Sequence, residues 1–406
     1  MIRIAELVNR EKLRSVALFV MAIGFFIQLA GKIFIESSSA RNTQVYLCLL
    51  FPALCAVFYR VVLRRAVQVR ALYLPWGLYL AWVALTTIWA TGGDDSALSL
   101  AKRGLFIGLF LVAVALLMQD DRYLRRALLA GVAVVAFGAL ASLTYQYAVL
   151  DQPLAYRAFR IYSLGWRDFA DFRWPVAAGI FYGAIATWAL GIAIDRATGR
   201  WASVWFFCCF MVISLYVLLT YTRGAWIGLM AAVVLSVFMQ RTRRGWWFLI
   251  LAVGAVLVAI GSFWPQLVIE FQQNKLSGRG AIWDYYLEVM PGHWLIGHGL
   301  GTPFEYLWDN GVTVSPHAHS LYLQQVYDSG LISLAFLLVG MVWLLVKGWQ
   351  LKDEYWVRLA YPAYVFSLIA MLTDIERLFT RPGDYWTVFW MPVAILLAVA
   401  NRGHSR

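Results

Sequence analysis

The chain is written in long apolar blocks separated by short polar joints, a pattern quite unlike the alternation of a soluble domain. Twelve such blocks stand out, at 15–35, 44–63, 71–90, 104–118, 127–149, 175–194, 201–221, 224–239, 246–264, 325–346, 357–373 and 386–400. Most are long enough as helices to cross about 30 Å of hydrocarbon. The fourth and eighth are short, and the seventh and eighth are parted only by Thr222-Arg223-Gly224. The pattern predicts an all-α polytopic membrane protein of about twelve transmembrane helices. It divides as 1–264 for the first nine, 265–324 for one large polar loop holding short helices, and 325–406 for the last three and a tail.

Composition strengthens that class. Hydrophobic residues make up 62% of the chain and charged residues 14%, against about 25% charged in ordinary globular domains. Twenty Trp and 21 Tyr, many near block ends, suit the aromatic belts of a bilayer. The net charge of +12 therefore reads as orientation signal and headgroup contact with membrane lipids, not as a nucleic-acid surface. Cys48, Cys55, Cys208 and Cys209 all fall within apolar blocks and read as small buried hydrophobes rather than as a disulfide or metal framework. The first block is longer than a typical cleavable signal core, so no signal peptide is expected.

Basic residues set the orientation. With a cytoplasmic N-terminus, 21 of the 34 Lys and Arg lie in the short segments facing the cytoplasm, 12 lie in the segments between, and Lys32 is within the first block. Both termini are then cytoplasmic and the large loop faces the other side, the periplasm if the cell is Gram-negative. Soluble ATP and nucleotide sugars are absent there, so synthetic chemistry requires a pre-activated, lipid-carried donor.

Several arginines run against this bias. Arg157, Arg160, Arg167 and Arg173 precede the sixth block, and snorkelling to headgroups is a sufficient account of such a group. Arg223 is different. It interrupts otherwise continuous apolar helix in Tyr-Thr-Arg-Gly-Ala-Trp, where a guanidinium costs at least about 2.5 kcal/mol, and an anionic partner should compensate.

The polar stretch 277–330 holds four of the five histidines: His293, His298, His317 and His319. Within it, 281–290 carries Ile282, Tyr285, Tyr286 and Val289 at helical spacing with Asp284 and Glu288 opposite, which predicts an amphipathic helix on or near the membrane surface. Arg279 would sit at its N-terminus, where free N–H groups favour an anion. Gly-His-Gly-Leu-Gly-Thr follows; without a preceding strand or a long following helix it reads as a glycine-rich turn, not a dinucleotide loop. The His317-Ala318-His319 pair admits three readings. The rings are packed and inert, or they join His293 and His298 on a metal, or one serves as a general base at neutral pH. The arginines and the third reading combine simply: guanidiniums hold a phosphate or pyrophosphate and stabilise its charge as it leaves, while an imidazole deprotonates an attacking hydroxyl.

These pieces resemble the O-antigen ligases, within the wider O-antigen ligase/polymerase membrane superfamily. The resembling residues are Thr220-Tyr221-Thr222-Arg223-Gly224-Ala225-Trp226, Ser277-Gly278-Arg279 with Ile282-Trp283, the Gly297–Gly301 turn with Phe304, and His319-Ser320 followed by Gly330. Ser333 stands where the ligase pattern has Gly, Thr or Tyr. The resemblance implies a metal-independent glycosyltransferase of GT-C-like fold that needs no cofactor. It would move a glycan from undecaprenyl pyrophosphate to a hydroxyl of lipid A–core at the inner membrane's periplasmic face. It assigns His319 as base and Arg223 and Arg279 as the pyrophosphate pair, with inversion at the anomeric carbon. His317, Arg160 and Asp374 are the further substrate-binding candidates, although a salt bridge to Arg377 explains Asp374 equally well. An O-antigen polymerase or a protein O-oligosaccharyltransferase would share the donor chemistry and differ in acceptor. A transporter for the same lipid-linked glycans, or a metal-dependent hydrolase, would be of another class.

Overall fold

In a computed structural model of the chain, residues 2–62, 71–262, 264–265, 268, 272, 278–308, 311–373 and 377–402 are described. The fourteen α-helices named below are those of the described residues. They are α1 (Ile2–Phe34), α2 (Ser38–Val45), α3 (Phe51–Val62), α4 (Leu74–Thr86), α5 (Ala97–Leu117), α6 (Asp121–Thr144) and α7 (Pro175–Ile194). The rest are α8 (Arg200–Leu219), α9 (Arg223–Gln240), α10 (Arg243–Ser262), α11 (Arg279–Val289), α12 (Leu321–Gln350), α13 (Tyr355–Ala370) and α14 (Met391–Arg402). Helix is present at each of the twelve apolar blocks. Single π-helical turns at Tyr46–Leu50 and Trp386–Trp390 join α2 to α3 and lead into α14. Eight of the described helical stretches are long and apolar enough to cross a membrane; one of them, Ala97–Val149, contains both α5 and α6 around a 3-10 turn at Met118–Asp120. The chain is a multi-pass membrane protein.

Helix α7 is the axis of the bundle. It opens on Pro175 after an extended Trp174, which suits a proline with no N–H to lose, and nearly every later side chain is buried. Its apolarity runs all the way round, so it cannot face water on any side. Small residues let its neighbours close in: a Cβ on Gly183 would meet the Phe366 ring of α13, one on Gly191 would meet Leu359, and one on Gly179 would meet Thr220 and Thr222. Gln240 at the far end of α9 donates to the Gly191 carbonyl at 2.8 Å. These contacts run α9 alongside α7 and against α13.

The hydrogen bonds at the helix ends sort the loops into two sets. Arg14 donates to Gln119, Trp356 to Asp121, Arg358 to Asp195 and Arg244 to the Thr198 carbonyl, and all of these belong to segments expected in the cytoplasm. At the other end the Ala170 amide donates to Lys32 O, Ile161 to Leu219 O, Arg167 to Glu36, Arg381 to Ser99 and Leu321 to Met371 O. Each bond joins two segments predicted for the same side.

Candidate functional site

The large loop has its own small core. Ile282 and Tyr286 of α11 pack with Met290, Phe304, Ala318, Val326 and Tyr327. The apolar face predicted for 281–290 is real, but protein covers it: the partners are the loop itself and the first turns of α12, not the membrane surface expected from the sequence alone. Asp284 and Glu288 are exposed as predicted. A two-residue antiparallel ladder, Tyr306–Leu307 against Val314–Ser315, is the loop's one departure from helix and turn among the described residues. Gly278 caps α11 in the left-handed region (φ 77°), leaving Arg279 as the first helical residue, where the sequence placed it.

The glycine turn docks into a break in α12. Gly330 lies inside that helix at φ 74°, ψ 176°, and a Cβ there would lie 2.0 Å from the Leu295 carbonyl oxygen. Gly297 faces it with the same problem, its own Cβ falling 2.5 Å from the Ser329 amide. The two backbones touch because neither residue has a side chain. Four amide bonds then zip the turn to the break: His298 to Tyr327 O, Gly299 to Asp328 O, Leu331 to Trp294 O and Ile332 to Leu295 O. Ser333 donates to the Gly330 carbonyl at 2.7 Å and accepts from Gln325 Nε2 at 3.1 Å, so its hydroxyl is built into the break.

The histidine segment is held from both sides. The Ala318 carbonyl accepts from Trp283 Nε1 (3.0 Å), and the Ala318 amide donates to Gln324 Oε1 (2.9 Å). Gln324 Nε2 passes on to Asp328 Oδ1 at 2.9 Å, and Arg377 grips Asp328 with Nε and Nη2 at 2.6 and 3.0 Å. Gln324 and Asp328 are buried. His319 takes a left-handed φ of 49°, an uncommon conformation outside glycine. Its amide donates to His317 Nδ1 at 3.2 Å and its Nε2 lies 3.0 Å from Ser315 Oγ. The Asp328–Gln324 relay and Ser315 were missed from the sequence. Gln324 and Asp328 are four apart on one helical face just after the histidines, and that spacing was the available signal.

Burial and charge keep both imidazoles neutral. Desolvation first, then the Arg377 and Arg279 charges, push His317 down to about 4. Desolvation, His317 and Arg279 push His319 down to about 4 as well. Arg279 therefore reaches both rings electrostatically. His293 and His298 stack on each other at 3.9 Å, and His298 stacks on Tyr327 and contacts Val289 O. Among the described residues no three His, Cys, Asp or Glu side chains converge as a metal-ligand group.

Arg223 is the first residue of α9 and half-buried. Arg160 braces the break before it, donating from Nε to the Thr220 carbonyl at 2.8 Å. α9 backs onto α13 where Gly228 meets Phe366, while Leu321 N–H reaches Met371 O and Tyr322 OH reaches Leu368 O. Arg223 and the histidine segment thus occupy the same end of α13. Asp374 and Ser277 lie outside the described residues; Arg377, the partner considered for Asp374, grips Asp328.

The family model described as O-Antigen ligase matches residues 208–338, a stretch holding Arg223, Arg279, the glycine turn, both histidines of the pair and Gly330. Across 401 residues the chain is 25% identical to a protein named O-antigen ligase from Pseudomonas aeruginosa strain PAO1, covering 95% of this chain and 92% of that one. A relative similar over most of its length and a family match centred on the assembled loop agree, and in both the chain is similar to the O-antigen ligases.

Proposed function

We propose that the protein is a membrane glycosyltransferase of lipopolysaccharide assembly, joining a glycan carried on undecaprenyl pyrophosphate to a sugar hydroxyl of lipid A–core. The observation that carries this reading is a neutral His319 fixed beside the Arg279 charge, at the end of α13 that also holds Arg223. In the tautomer whose Nε2–H donates to Ser315, Nδ1 of His319 is the free lone pair. It takes the proton of the acceptor hydroxyl as the new O–C1 bond forms. The C1–O bond to pyrophosphate breaks on the opposite face, inverting the anomeric carbon. Arg223 and Arg279 take up the charge of the departing diphosphate, so no carboxylic acid is needed to protonate it. His317, Arg160 and Asp374 complete the substrate contacts in this scheme, and no metal or cofactor takes part.

An imidazole held near 4 is a weak base, but the depression is conditional. A diphosphate on Arg279 cancels a positive charge near His319 and raises its affinity for a proton. The base strengthens when the donor is bound. Twelve crossings in a GT-C-like arrangement, both termini in the cytoplasm and the catalytic loop at 265–324 in the periplasm of a Gram-negative inner membrane are parts of the same proposal. The two sets of helix-end hydrogen bonds support the alternation, and the Lys/Arg count supports its direction.

Purified protein incubated with lipid-linked glycan and lipid A–core, in EDTA, should form product. His319→Ala should lose it. Product abolished by EDTA and restored by zinc would overturn the scheme, as would full activity of His319→Ala. Lengthening of the lipid-linked glycan without use of lipid A–core would make the enzyme a polymerase.

A further inference from the structure

A second charged cleft opens at the same end of the molecule. It has a volume of about 410 Å³ and is lined in part by Asp95 and Arg103, at the start of α5, and by Arg381 and Asp384, before the last helix. Two arginines and two aspartates line it. Asp95 accepts a hydrogen bond from Arg103 and lies 3.7 Å from Arg381, so two guanidiniums share one carboxylate. Asp384 pairs with Lys32 and lies within electrostatic reach of Arg41. Lys32 and Arg41 thus bring two further cations to Asp384 from outside the lining.

Arg103 also carries an unmet demand. Its Nε is buried and has no hydrogen-bond partner among the described residues, and leaving a buried donor unsatisfied is costly. Arg381 is half-exposed at the mouth. Two planar guanidiniums, one exposed at the mouth and one with a spare donor, suit the oxygens of a phosphate. The volume exceeds a lone phosphate and falls in the range of small-ligand sites. Arg377 links this region to the histidine segment, acting electrostatically on both Arg103 and His317.

We propose that this cleft binds a phosphate borne by a membrane lipid, and that the lipid is the phosphorylated acceptor glycolipid, positioned there for attack at His319. The assignment of the acceptor rests on the function proposed above. In this arrangement the donor diphosphate and the acceptor phosphate have separate arginine sites, and the segment from Arg377 to Asp384 links them.

Binding and transfer are to be measured on the full-length protein with lipid A–core, native or phosphatase-treated. The membranes are phosphatidylcholine vesicles with or without an equimolar share of phosphatidylglycerol. Arg381→Gln, at a half-exposed site that tolerates the change, should raise KM for the native acceptor about tenfold, leaving KM for donor unchanged and the phosphatase-treated acceptor indifferent to the variant. Arg381→Lys should recover part of the loss. If native acceptor binds the wild type more tightly than Arg381→Gln but no transfer occurs, the cleft stands and the proposed function falls. Transfer with equal KM for wild type and variant, in both membranes, overturns the cleft. A variant effect that follows phosphatidylglycerol and ignores the acceptor's phosphates overturns the acceptor assignment in favour of bulk lipid.

Discussion

Helix α7 and the first ten residues of α12 are both buried helix, and they are buried by opposite chemistry. α7 fills the bundle mostly with Ala, Gly, Ile and aromatic rings, whose burial asks chiefly for close packing. The opening of α12 encloses Gln324, Gln325, Asp328 and Ser329, groups that are costly to bury unless each finds a partner. They do: Gln324 bridges Ala318 to Asp328, Asp328 meets Arg377, Gln325 meets Tyr79 and Ser333, and Ser329 meets Thr86 and Trp82. Apolar burial in α7 gives stability that tolerates small adjustments. Polar burial in α12 fixes one geometry, and the histidines hang from it.

The contrast can be tested by perturbing each region in turn. The largest effect is expected at the end of the polar chain, where His319→Ala should lower kcat by about 10²–10⁴-fold, read as initial rate with lipid-linked donor in excess, while donor binding persists. Next is Asp328→Asn, which removes the negative charge that Arg377 grips and loosens Gln324. A fall of about 10²-fold in kcat is expected, with helicity unchanged by circular dichroism; a variant that unfolds instead would make Asp328 a stability residue only.

The pH profile is the third test. The base must be unprotonated, and the free enzyme holds His319 down to about 4, so kcat/KM should keep its neutral value at pH 5, where an ordinary histidine near 6.5 is mostly charged. The acid limb of kcat should lie at higher pH, because bound donor relieves the Arg279 field. Coincident limbs would remove donor-tuned basicity from the mechanism. Stability follows the same sign. A depressed histidine contributes fully above about 6.5 and loses that contribution as pH falls through 4, so the loop should become more protease-sensitive across that interval. The smallest functional effect belongs to α7. Gly183→Ala sets a methyl 2.6 Å from the Phe366 ring and should cost about 1–3 kcal/mol, lowering Tm with kcat nearly unchanged.

Much of the site was legible before folding, residue by residue. Arg223 announced itself by breaking an apolar run, Arg279 by preceding an amphipathic helix, and the His pair by its place in the one polar loop. Asp328 and Ser315 gave weaker signals, because their roles depend on which backbone lies opposite. Gly330 shows the boundary between the two kinds of information. Its identity is in the sequence, but that it stands inside a helix and against Leu295 is visible only when the loop is docked.

The sequence by itself determined the membrane class, the sites of the helices and the residue types available for chemistry, since hydropathy and charge act locally along the chain. Only the tertiary structure decided that the apolar face of α11 packs on protein, that Arg377 grips Asp328, and that Arg223 and the histidine segment share one end of α13. Those outcomes depend on long-range packing and on the pairing of buried charges, which no local pattern specifies.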